Sequence, residues 1–252
     1  MADVAVQHGV EGLYEPSLFG TYSKKIGMWL FLLSDSLTFG ALLFAYSYGR
    51  ISTPNWPTPF GKESITNATI MTACLLSSSL TMVLGVLAAR RSDRAGVVRW
   101  LLATMFFGAV FVVLHAREWM GLIHEGLKPF SNPWAATVPQ FGGTFFTLTG
   151  MHMLHVTLGV IYLGVVALRK KMLPILVVLW ALGFFLTSSD NVFHYGIHVL
   201  LLSAVVAAFV LFLKPKDYDA NDVEVAGLYW HFVDLVWMFI FPLVYLMSTR
   251  VK

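Results

Sequence analysis

The sequence predicts an all-α, polytopic transmembrane helix bundle of seven spans. Three observations carry this reading. Of 252 residues, 57% are hydrophobic and 12% are charged, against about 25% charged in a typical soluble domain. Apolar runs recur along the chain, each near the ~20 residues that a helix needs to cross a hydrocarbon core of about 30 Å. The basic residues alternate between successive loops, as topology requires.

The apolar segments are 26–48, 68–89, 97–120, 141–168, 172–188, 192–213 and 227–248. Segment 172–188 is the shortest, at the lower limit for a span, so a re-entrant or strongly buried helix is the alternative there. Residues 1–25 form an N-terminal segment with Asp3, Glu11, Glu15 and Pro16, and they lack the short apolar stretch of a cleavable signal. Residues 26–252 form the bundle.

Lys and Arg are retained on the cytoplasmic side. Counting alternate loops places Lys24, Lys25, Arg90, Arg91, Arg94, Arg99, Arg169, Lys170, Lys171, Lys214 and Lys216 on one side. Arg50, Lys62, Arg117, Lys128, Arg250 and Lys252 fall on the other. The N-terminus is therefore expected in the cytoplasm and the C-terminus in the periplasm of a bacterial inner membrane. The net charge of +3 is a topology signal, not a nucleic-acid footprint. Pro54, Pro57 and Pro59 punctuate the loop after the first segment, and Pro129, Pro133 and Pro139 the loop before the fourth. The linker 214–225 is too short to fold alone. Pro242 is expected to kink the last helix.

Cys74, the single cysteine, excludes an internal disulfide, a CxxC metal site and a cysteine-ligated cluster. An ionisable residue inside a span costs about 2.5–3.5 kcal/mol at the helix centre and is a functional hypothesis by default. Asp35 lies nine residues past Ile26, roughly 13 Å along its helix. Asp234 lies seven residues past Gly227, at a similar depth, so a shared polar layer with Ser34, Ser36 and His231 is geometrically possible. The functional reading of Asp35 is a proton-uptake or lipid-associated carboxylate. The alternative, for Asp35 and Asp234 alike, is an interhelical hydrogen bond. Glu118, beside Arg117 and His115, reads as an ion pair or interhelical clamp, with partner docking as the alternative.

His152 with His155 and His194 with His198 share helix faces at three- and four-residue spacing. Hydrogen bonds across a helix interface account for the first pair. For the second, near the periplasmic surface, a subunit contact or an adventitious metal is an alternative. No two histidines stand 13 or 14 residues apart, as two haem ligands on one helix of a cytochrome b-type bundle would. The chain is also too short for the six or so ligating histidines of a haem-copper catalytic subunit. No cofactor or metal is expected in this chain. Gly142, Gly143, Gly150, Gly159 and Gly164 read as close-packing positions.

Three stretches resemble the haem-copper respiratory oxidase (cytochrome c oxidase) subunit III family. They are Gly27-Met28-Trp29-Leu30-Phe31-Leu32-Leu33-Ser34-Asp35, then Gly143-Thr144-Phe145-Phe146 running into Thr149-Gly150-Met151-His152-Met153-Leu154-His155-Val156, then Tyr229-Trp230-His231-Phe232-Val233-Asp234-Leu235-Val236-Trp237. Glu118 precedes the second. The resemblance implies a non-catalytic subunit of an oxygen-reducing, proton-pumping oxidase that packs on the haem-bearing subunit I. It also implies contact with subunit II and small subunits, bound phospholipid, and support of proton uptake. Haem and copper would reside in the partner subunits.

The family's intramembrane carboxylate, usually Glu, corresponds to Asp35, which is one methylene shorter. The resemblance also implies a five-helix core, from which residues 172–222 depart as an inserted helical hairpin and linker, expected to substitute for a small accessory subunit or to dock a neighbouring respiratory complex. Quinol oxidases and nitric-oxide-reductase-type complexes carry related third subunits and form the alternative reading. A small-solute transporter usually shows broken helices at related positions in two halves, and this sequence has no such symmetry.

Overall fold

In a computed structural model, residues 23–134, 137–186 and 219–248 are described. They form α1 (Ser23–Ser52), α2 (Lys62–Arg90), α3 (Arg94–His124), α4 (Gln140–Leu186) and α5 (Ala220–Ile240). The last helix runs on through a π-helical turn, Phe241–Tyr245, and a 3₁₀ turn, Leu246–Ser248. Among the described residues, five segments are long and apolar enough to cross a membrane: Ser23–Ser52, Lys62–Arg90, Arg94–His124, Gln140–Leu168 and Ala220–Tyr245. The described residues thus form an all-helical membrane bundle. Of the seven expected spans, 192–213 lies outside the described residues, as do His194 and His198.

The fifth expected segment differs from its sequence reading. No loop separates it from the fourth: the backbone leaves helical geometry only at Leu168 (φ −120°, ψ 16°) and then continues helical to Leu186. The triplet Arg169, Lys170 and Lys171 carries neither glycine nor proline, so nothing there obliges the helix to stop. The 214–225 linker is corrected as well, because helix α5 begins at Ala220. Asp219 caps it, accepting from the Asp222 backbone N–H at 2.9 Å, while the Asp222 side chain accepts from the Asp219 backbone N–H at 3.4 Å. This reciprocal box satisfies two donors that a helix start leaves unpaired. Asp219→Ala is expected to cost about 1 kcal/mol, read as a lower unfolding midpoint in detergent.

Helix α5 is the centre of the bundle and packs on α1, α2 and α4. Its Trp230 is fully buried and explains several small residues on its neighbours. A Cβ on Gly108 of α3 would come within 2.5 Å of the indole, and one on Gly159 of α4 within 2.9 Å. The indole N–H donates to Ser78 Oγ of α2 at 2.9 Å. Gly142 is tighter still, because a Cβ there would lie 2.1 Å from the Lys128 carbonyl oxygen. A backbone atom cannot swing aside as a flexible side chain can, so Gly142→Ala is expected to cost about 1–3 kcal/mol. A reduced yield of folded protein checks it.

Helix α1 is peripheral and turns a single stripe inward, with Leu32, Phe39 and Tyr46 buried at seven-residue spacing. Asp35 belongs to that stripe, three residues after Leu32 and four before Phe39. Its carboxylate therefore faces protein, not lipid.

The helix ends alternate. Lys24 pairs with Asp222 at 2.6 Å, and Glu224 pairs with Lys25 at 2.5 Å and with Arg90 at 3.3 Å, gathering the starts of α1 and α5 and the end of α2. At the opposite end Arg50 donates to the Met247 carbonyl. Between α2 and α3 the chain reverses in three residues. Ser92 takes a left-handed conformation (φ 57°), and Asp93 accepts from the Gly96 N–H at 2.9 Å to start α3.

Candidate functional site

Asp35 and His155 meet across the α1–α4 interface. His155 Nδ1 lies 2.7 Å from the Met151 carbonyl one turn back on its own helix. A carbonyl only accepts, so Nδ1 carries a proton and Nε2 is left to face α1. There it stands 2.8 Å from Asp35 Oδ2. Two arrangements fit: an imidazolium beside a carboxylate, or a carboxylic acid whose proton points at a neutral Nε2. Both have zero net charge, which is what makes the pair tolerable inside a membrane, and they differ by the transfer of one proton between Oδ2 and Nε2.

Neighbours hold this pair. Phe39 sets its ring edge against the imidazole at a centroid distance of 5.1 Å. Tyr229 of α5 donates its hydroxyl to the His155 carbonyl at 3.0 Å. The site thus draws on all three quoted stretches: Asp35 from the first, His155 from the second and Tyr229 from the third.

The polar layer that equal depth allows, uniting Asp35 with Ser34, Ser36, His231 and Asp234, does not form. Ser34 and Ser36 donate to the Phe31 and Leu32 carbonyls of their own helix, the usual resort of a serine inside a helix. His231 Nδ1 instead meets Ser79 Oγ of α2 at 2.8 Å. The same hydroxyl lies beside the buried carboxyl of Asp234, whose two oxygens have no aligned hydrogen bond. Equal depth along two helices fixes height but not azimuth, and α5 directs these residues toward α2.

Glu118 accepts from the Tyr245 hydroxyl at 3.0 Å, with Asn67 of α2 beside it. Arg117 is exposed, so the clamp between helices is present without the expected local ion pair: adjacent residues on a helix point about 100° apart. The π-helical turn that contains Pro242 places Tyr245. Proline lacks the N–H that would continue the α-helical pattern, and the wider turn rotates the following residues. Tyr245→Phe removes the donor to Glu118 and is expected to cost about 1–3 kcal/mol, measured against a Glu118→Gln background, where the loss shrinks.

His152 is fully buried and stacks on Trp237 at 5.2 Å. Among the described residues, no group of three or more His, Cys, Asp and Glu is placed to hold a metal ion. The sequence reading passed over Ser79, Tyr245 and the bond from Tyr229. Tyr229 was within reach of it, as the first residue of the third stretch on the helix that also carries Asp234. Ser79 and Tyr245 depend on helix azimuth, which no local pattern reveals.

Residues 2–176 match the family model described as cytochrome c oxidase subunit III. Subunit 3 of the cytochrome bo(3) ubiquinol oxidase of Pseudomonas aeruginosa is 29% identical over 223 residues, covering 88% of this chain and 84% of that protein. Cytochrome c oxidase subunit 3 of Alkalihalophilus pseudofirmus is 28% identical over 227 residues, covering 90% and 88%. Quinol oxidase subunit 3 of Bacillus subtilis is 29% identical over 223 residues, covering 88% and 86%. The family-model match ends before the third stretch.

Proposed function

Since this chain belongs to the cytochrome c oxidase subunit III family and is a subunit of a haem-copper oxidase, we propose that it serves there without catalysing electron transfer itself. It packs on the haem-bearing subunit I, holds phospholipid, and sustains proton uptake during turnover. The observation that carries this role is the Asp35–His155 contact at 2.8 Å, an exchangeable proton held in the membrane interior on a helix whose other faces remain open. Haem and copper belong to the partner subunits.

The full topology is seven spans in a bacterial inner membrane, with the basic helix ends in the cytoplasm. The positive-inside count over all loops supports it. The inserted residues 172–222 dock a neighbouring respiratory complex or replace a small accessory subunit. Deleting 172–218, which spares the cap of α5, is expected to lower supercomplex content while the haem-bearing core persists, and unchanged supercomplexes would contradict that role.

Stripping this chain from the purified complex tests the proposal. Initial oxygen consumption is expected to persist and then to decay faster with turnover than in the intact complex, with slower proton uptake. Equal lifetime and uptake with and without the chain would overturn it. A second reading, the third subunit of a quinol-oxidising complex, is favoured by the names of the Pseudomonas and Bacillus subtilis relatives. A copper-bearing subunit II in the purified complex would decide for cytochrome c as the donor.

A further inference from the structure

His115 of α3 and His152 of α4 are fully buried, and none of their four ring nitrogens has a hydrogen-bond partner within the protein. A neutral imidazole carries one donor and one acceptor, and buried polar groups of native proteins are almost always paired. The surrounding side chains cannot supply the partners. Phe111 presents its ring at 5.5 Å to each imidazole, and Trp237 lies 5.7 Å from His115 and 5.2 Å from His152. The nearby indole donors are committed elsewhere: Trp237 Nε1 to Thr72 Oγ1 at 2.9 Å and Trp119 Nε1 to Thr149 Oγ1 at 3.2 Å. The aromatic walls also keep either ring from turning out to lipid.

Further unpaired buried atoms stand at the two ends of this pair. Glu118 Oε1 lies one helical turn beyond His115 on α3, and Asp35 Oδ2, 2.8 Å from His155 Nε2 but without an aligned hydrogen bond, stands one turn beyond His152 on α4. Because α3 and α4 run antiparallel, the order Glu118, His115, His152, His155 with Asp35 progresses from the end of the bundle near Tyr245 toward its basic end.

We propose that His115 and His152 bind ordered water inside the bundle and form with Glu118 a hydrogen-bonded relay to the Asp35–His155 pair. The ligand must be small and both donor and acceptor, and an interior water typically makes two to four such bonds. The relay moves a proton without net chemistry: one ring nitrogen of an imidazole takes a proton from water while the other releases its own to the next acceptor. The relay is entered from the end that carries Glu118, and Tyr229, whose hydroxyl donates to the His155 carbonyl, packs on the basic side of His155.

Hydrogen exchange at the imidazole C2 position, followed by mass spectrometry of the intact membrane complex in D₂O, tests this. Exchange requires water at the ring: the imidazolium loses its C2 proton to a solvent base and regains deuterium. His115 and His152 are expected to label while the exposed His124 runs to completion. In Glu118→Gln, labelling of His152 is expected to slow several-fold with His124 unchanged. If both buried histidines stay unlabelled in the wild-type complex, which needs no substitution, the interior is dry and the proposal fails. If they label at the same rate in Glu118→Gln, water enters elsewhere and the relay fails. Neither result depends on whether the complex is an oxidase.

Discussion

Trp230→Ala is expected to destabilise the bundle more than any other single truncation, by about 3 kcal/mol or more, in the range measured for buried Trp→Ala changes. Lipid tails are as apolar as the core, so transfer from water contributes little to helix association in a membrane. What is lost is van der Waals packing, together with the bond from the indole to Ser78. Both are concentrated here, because Gly108 and Gly159 have no side chains that could fill the space and two facing helices cannot close onto it. Ser78 Oγ would keep its own donation to the Leu75 carbonyl, so the cavity dominates over any unpaired hydroxyl. Thermal or chaotrope-induced unfolding in detergent measures the loss. Trp230→Phe is expected to recover part of it.

Asp35→Asn is expected to leave assembly almost intact and to slow proton uptake. The reason lies in the tautomer of His155. With Nδ1–H committed to the Met151 carbonyl, neutral Nε2 accepts, and the Asn amide can donate to it as a carboxylic acid would. The contact survives while the transferable proton is removed. Asp35→Leu removes both and leaves a buried ring nitrogen unpaired at a cost of about 1–3 kcal/mol, so that variant is expected to reduce the amount of this chain recovered in the complex. Comparing the two separates proton traffic from architecture. Should Asn and wild type agree in uptake rate, turnover and catalytic lifetime while Leu alone fails, Asp35 is an interhelical fastener.

The five described spans were legible because each rests on a one-dimensional signal, an apolar run bounded by charges and prolines. Asp35 was legible for a related reason. An aspartate among Leu32, Leu33 and Phe39 is expensive anywhere on the helix, although the inward stripe of Leu32, Phe39 and Tyr46 shows only in the folded bundle. Its partner was not. The spacing of His152 and His155 puts both on neighbouring turns of one face, yet the first ends among Phe111 and Trp237 and the second against α1. The choice between them is made by how α1, α3 and α5 surround α4.

The same reason explains why Asp234 and His231 turned toward α2 instead of α1, and why Glu118 found Tyr245. Depth can be counted along a helix, but azimuth between helices is set by packing. The continuity of the helix across Arg169, Lys170 and Lys171, bent only at Leu168, was missed for another reason. A basic triplet marks a membrane boundary, and a helix can pass such a boundary without unwinding.

The most direct test of the account is purification of this chain, tagged, in mild detergent, followed by spectroscopy. The expected result is stoichiometric recovery with a larger haem-bearing membrane subunit, haem absorbance in the complex, and none in this chain once the subunits are separated. Recovery of the folded chain without any haem-bearing partner, or haem absorbance retained by the isolated chain, would contradict it.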